Sequence, residues 1–209
     1  MMKSVLFRRL PLVGVLLIAA GCACKVNMSE VLQQPMNTQV RTRYHLWYTD
    51  PAEVSALNIM TGKFLPAGTV IEPAEIKRGT YDMFGAVSVV NGSIDFKTAE
   101  GQEFTIRYDE RMMMMPIEDF VRQFFTAESA EAVYAKVPEA ELAQVKAGKL
   151  VPGMHMASVL VVLGPPAKSR TTLLTNQSWL YWQSPDVVFR IIFKGDKIRQ
   201  ITSLDHLEM

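Results

Sequence analysis

The chain has 209 residues, with 22 lysines and arginines against 21 aspartates and glutamates. So even a balance gives no electrostatic footprint for nucleic acid, and a hydrophobic share of 49% excludes a disordered coat protein. Three histidines and two cysteines leave little material for a metal cluster or a disulfide framework.

In chain order, Lys3, Arg8 and Arg9 form a positive leader, Leu10 to Ala20 is uncharged, and Ala19-Ala20-Gly21 lead into Cys22. That order is the layout of a secretory signal over residues 1–21. The apolar stretch of 11 residues is well short of the ~18–20 that a permanent membrane helix needs. The ending AAGC resembles the lipobox of bacterial lipoproteins, although Ala19 stands where that family usually has Leu. The resemblance implies that the chain is cut before Cys22, which then carries the lipid, and that Ala23, not being Asp, directs it to the outer membrane. Such cleavage leaves 188 residues with 19 basic and 21 acidic side chains, and Cys24 as the remaining thiol. The body is then held together by its core alone.

Residues 22–39 are polar with little periodicity and are expected to be a tether. From Val40 the period becomes two, with Val40, Thr42, Tyr44, Leu46 and Tyr48 on one face. Further strands are expected over 54–59 and 70–76, then over 86–90 and 94–98 around Asn91-Gly92-Ser93, a strong hairpin signal. Gly101 closes the next hairpin, on which Phe104, Ile106 and Tyr108 alternate. The phrases LPAGT and IDFKTAEGQEFTIRY resemble the SH3-like barrels of bacterial envelope proteins. Pro116 opens a helix with Ile117, Phe120, Val121, Phe124 and Phe125 on one stripe, which completes a β-rich unit over 40–128. A looser linker helix follows at 129–137.

Residues 138–209 read as two helices, over 138–147 and 155–163, stopped by Gly148 and by Gly164-Pro165-Pro166. Three strands follow, near 178–183, 187–194 and 197–202, with Gly195-Asp196 turning between the last two. The segments AGKLVPGM, VLVVLGPP, SWLYW and VVFRIIFKGDKIRQI resemble the SmpA/OmlA family of outer-membrane lipoproteins. This BamE-like resemblance covers about residues 138–203 and implies a two-layer α-α-β-β-β domain in an α+β protein. His155 departs from the Ser or Thr that commonly caps the family's second helix, and none of the family's binding residues is carried over. Phe96, Phe104, Ile106 and Tyr108 are expected in the first core, and Val159, Leu163, Trp179, Phe189 and Ile191 in the second.

The chain carries no HExxH, CxxC, GxSxG or phosphate-loop motif. His45, His155 and His206 lack companions at ligand spacing, so no catalytic residue, metal or cofactor is assigned. The run Met112 to Met115 offers thioethers to copper, but four consecutive side chains cannot face one centre, and apolar filler is the preferred reading. If Trp179, Tyr181, Phe189 and Ile191 face the helices, period two sends Leu180, Trp182, Val188, Arg190, Ile192 and Lys194 to the other side. That face is either covered by the N-terminal half or is a contact surface for an envelope protein or anionic lipid headgroups. The expected function is a non-enzymatic scaffold or adaptor of the cell envelope, held to the membrane by its lipid. The alternatives are a glycan- or small-ligand-binding module and an inhibitor of a periplasmic hydrolase.

Overall fold

The computed structural model describes residues 25–72, 74–78, 92–184 and 186–204 of a mixed α+β chain. Structure begins earlier than the sequence suggests. Strand β1 (Lys25–Asn27) and helix α1 (Met28–Val31) occupy the expected tether. The Asn27 side chain accepts from the Ser29 N–H at 2.8 Å, and Met28 is fully buried. The physical reason is Met28 and Val31, whose burial contributes about 1.5–3 kcal/mol each. Two apolar residues in a short polar segment give no period for a sequence reading to detect.

The strands expected to form one small barrel are distributed over three sheets. Residues 40–48 split into β2 (Val40–Thr42) and β3 (Leu46–Tyr48), followed by β4 (Val54–Ser55), β5 (Lys63–Leu65), β6 (Val70–Ile71) and β7 (Glu75–Lys77). The long hairpin β8 (Gly92–Lys97) and β9 (Glu103–Tyr108) turns through Gly101 at φ +84°. A five-stranded sheet runs in the order β1-β7-β8-β9-β4, and β3 and β5 form their own ribbon. The alternation on β9 is as expected, with Phe104, Ile106 and Tyr108 buried. The Asn-Gly-Ser hairpin is not: Gly92 and Ser93 lie inside β8, opposite Tyr108 and Arg107. The strand expected over 86–90 lies outside the described residues.

Helix α2 (Glu110–Met113) follows, then α3 (Ile117–Phe124), whose expected stripe is buried, and β10 (Phe125–Thr126), which pairs with β2 in a sheet of order β10-β2-β6. Within the methionine run, Met113 and Met115 are buried, whereas Met114 is 62% exposed at φ +52°. The four side chains therefore do not converge. Helix α4 (Ala130–Tyr134) is capped by Ser129. Helices α5 (Leu142–Lys146) and α6 (Met156–Leu163) precede the antiparallel sheet of β11 (Ser178–Trp182), β12 (Val188–Lys194) and β13 (Lys197–Leu204).

Two hydrophobic clusters result, and each borrows from the other half of the chain. The first gathers Phe96, Phe104, Ile106, Tyr108 and the α3 stripe, but also Ala167, Trp182 and Val188. The second gathers Val159, Leu163, Trp179, Phe189 and Ile191, but also Trp47 and Ala67, with Phe64 packed against it.

The seam between the halves has a simple chemical origin. A helix leaves its last four carbonyls without intrahelical donors. After α6 the next donors would come from positions 165 and 166, and both are prolines, which have no N–H. The N-terminal half supplies the replacements. The His45 N–H donates to Val161 O at 2.8 Å, the Trp47 indole to Val162 O at 2.7 Å and the Asn58 amide to Leu163 O at 2.7 Å. The Tyr181 hydroxyl then donates to Gly164 O at 2.9 Å.

Candidate functional site

Among the described residues, three places bear on function. The first is the predicted contact face on β11 and β12. Cross-strand register confirms that Leu180, Arg190 and Thr202 form one row, and Trp182 and Val188 the next. Trp182 and Val188 are buried against the first core, and the Arg170 guanidinium lies 5.8 Å from the Trp182 ring centroid. Neither residue is open to a partner, because the N-terminal half covers that end of the sheet. Leu180 and Ile192 are half-buried, while Arg190 and Lys194 are exposed. What remains of the face is its far end, a small basic and apolar patch. Cys22, Cys24 and His206 lie outside the described residues.

The second place is the start of α6. The Glu141 carboxylate accepts from the His155 backbone N–H at 3.1 Å and lies 2.6 Å from His155 Nδ1. It also accepts from the Ser158 hydroxyl. Burial alone would raise the Glu141 carboxyl, but the bonds from Ser158 and His155 prevail and hold it below its ordinary range. A serine, a histidine and a carboxylate invite comparison with a hydrolase. The connectivity is different: the carboxylate takes the serine proton bond, and Ser158 is fully buried. A nucleophile needs a base on its hydroxyl and access to substrate. This arrangement is a helix cap supplied from 14 residues upstream. Among the described residues no group of three histidine, cysteine or acidic side chains is placed to hold a metal.

The third place was not foreseen. A small, partly open pocket of about 110 Å³ lies between α4, α6 and the β2–β3 link. Arg43, Tyr44, Glu128 and Lys136 provide its polar lining, with Ala157, Leu160 and Val161 forming an apolar wall. Arg43 Nε is buried there without a hydrogen-bond partner among the described residues. Burial, opposed by Arg43 and reinforced by Glu128, raises the Tyr44 phenol above its ordinary value. The volume corresponds to roughly three or four waters at ~30 Å³ each, or to one compact anionic group facing the arginine fork.

Sequence reasoning also missed His45, which is fully buried. Its Nδ1 accepts from the Ala67 N–H at 2.8 Å. Its Nε2 lies 2.7 Å from Val145 O and so must carry the proton. Burial, partly opposed by the bond to Val145, holds its pKa below the ordinary value. The ring stacks on Phe64 at 4.5 Å. This is structural chemistry, joining the β2–β3 link to α5.

No protein-family model matches the chain, and no curated protein or solved structure matches it either.

Proposed function

We propose that this chain is a lipid-anchored lipoprotein on the periplasmic face of the outer membrane, acting as a non-enzymatic scaffold or adaptor in envelope assembly or maintenance. The observation that carries the reading is the run Ala19-Ala20-Gly21-Cys22 behind a charged and then apolar leader. Within the body, the order α5, α6, β11, β12, β13 is the one the BamE-like resemblance implies for the C-terminal part. The sequestered Ser158 favours an adaptor over a hydrolase. The partner surface in this reading is the open end of the C-terminal sheet, Arg190, Ile192 and Lys194. Metabolic palmitate labelling tests the anchor: label enters the native protein and is lost from Cys22→Ala, and label that persists in the variant sinks the assignment. Arg190→Glu with Lys194→Glu is expected to keep the fold while abolishing co-purification of an envelope partner. An unchanged set of co-purifying proteins removes this surface from the proposal.

A second reading, a small-ligand-binding module, is favoured by the Arg43 pocket. Acetate and phosphate titrated against the native protein then raise its melting temperature, and Arg43→Met loses that response. Equal responses from both proteins count against it.

A further inference from the structure

The early start of the fold, together with the proposed lipidation of Cys22, fixes where the body must sit. We propose that the end of the five-stranded sheet where β1 begins is held directly against the lipid headgroups. This rests on the lipoprotein reading and goes beyond it by naming the surface that meets the membrane.

From Cys22 to Lys25 there are only three chain steps, which span at most about 11 Å when fully extended. The headgroup zone of one leaflet is itself roughly 5–7 Å deep, and an acylated cysteine begins near its base. Little reach is left beyond the headgroups. At Lys25 the chain is already paired, since β1 runs antiparallel to β7 with Lys25 opposite Lys77. The tether is therefore too short to act as a leash, and the covalent link places β1 and β7 at the bilayer surface.

The row that starts at Lys25 continues across the sheet through Lys77, Ser93 and Arg107 to Ser55. Lys77 and Arg107 are about half exposed. Lys77 pairs with Asp95 at 2.6 Å and Arg107 with Glu53 at 2.5 Å, so their charges are already met within the protein. Electrostatic attraction to anionic lipid is thus a small addition, and the geometry of the link does the holding. The same contact follows on a zwitterionic bilayer. A partner engaged by the body must then come to the membrane surface, because the adaptor does not swing out to meet it.

The test uses the full acylated protein in phosphatidylcholine vesicles containing lipid with a headgroup nitroxide, a contact-range quencher. A fluorophore is placed on Lys77→Cys in a Cys24→Ser background. Strong quenching is expected, together with its several-fold loss when a 20-residue Gly/Ser segment is inserted between position 24 and Lys25. Such an insertion adds roughly 25 Å of mean span. Weak quenching in the uninserted protein, or equal quenching with and without the insertion, overturns the proposal while flotation with the vesicles keeps the lipoprotein reading. Absence of acyl chains and of flotation overturns that reading first.

Discussion

The Trp47 indole donates its N–H to the Val162 carbonyl at 2.7 Å, across 115 positions of sequence. It does so because Pro166 cannot. Trp47→Phe keeps an aromatic ring in the second core but leaves a buried carbonyl unpaired, at a cost of about 1–3 kcal/mol before any loss of packing. Urea denaturation is expected to show a lower midpoint with an unchanged slope. A destabilisation under about 0.5 kcal/mol would mean that water or another donor replaces the indole.

His45 gives the seam a pH dependence. Burial holds its folded-state pKa below the ordinary value of about 6.5 for an unfolded histidine. Below that value the unfolded chain takes up a proton that the folded chain refuses. The stabilisation is therefore complete above pH 6.5 and declines as pH falls toward the lowered folded value, with a slope of at most about 1.4 kcal/mol per pH unit. His45→Gln is expected to be less stable at neutral pH and to lose this part of the slope. Subtracting its stability-against-pH curve from that of the native protein isolates the effect. Parallel curves between pH 5 and 7 would contradict the neutral, buried assignment.

Two glycines separate backbone strain from contact. Gly148 and Gly195 have nearly the same φ, +67° and +65°. An added Cβ at Gly148 meets the Phe64 ring at 2.7 Å and Trp47 at 3.0 Å, whereas at Gly195 nothing lies within 4 Å. Both alanine variants carry a left-handed backbone penalty of about 1 kcal/mol, and overpacking adds roughly 1–3 kcal/mol at Gly148 alone. Thermal melts that rank the two equally would show that α5 does not seat on Phe64 as described.

The exchanged side chains predict one cooperative body. Intrinsic fluorescence, to which Trp47, Trp179 and Trp182 contribute, and far-UV circular dichroism should report coincident urea transitions for residues 22–209. The isolated segment 129–209 lacks the cover for Trp182 and Val188 and the donors for α6. It is expected to show no sharp transition alone and to gain one when mixed with 22–128. Two well-separated transitions in the longer chain would make the halves independent.

Local patterns were legible where one residue type decides. The α3 stripe, the Gly101 hairpin, the stop at Gly164 and the alternation on β9 and β11 all follow from spacing. Long-range consequences were not. Period two on residues 40–48 gave no sign that His45, Leu46 and Trp47 are all buried, because His45 turns toward α5, 100 residues away, and Trp47 toward α6, 115 residues away. Pro165 and Pro166 marked the end of α6 without saying which donors would serve its carbonyls. At the contact face, the alternation was right, yet Trp182 and Val188 proved to be core because period two does not say what packs on a face. Arg43 carried no motif, and its pocket exists only once α4 and α6 close over it.

The proline pair also sets a timetable. An exported chain emerges from its translocation channel N-terminus first, so residues 45–64 appear well before Val161, Val162 and Leu163. Trp47, Phe64 and the Asn58 amide then wait uncovered until the last third of the chain arrives. During that interval the nascent half presents aromatic surface and unspent hydrogen-bond donors to its surroundings, a form that a holding chaperone would recognise and that would aggregate without one. Yield in the cell should thus depend on how fast the C-terminal sheet follows as much as on the stability of the finished fold.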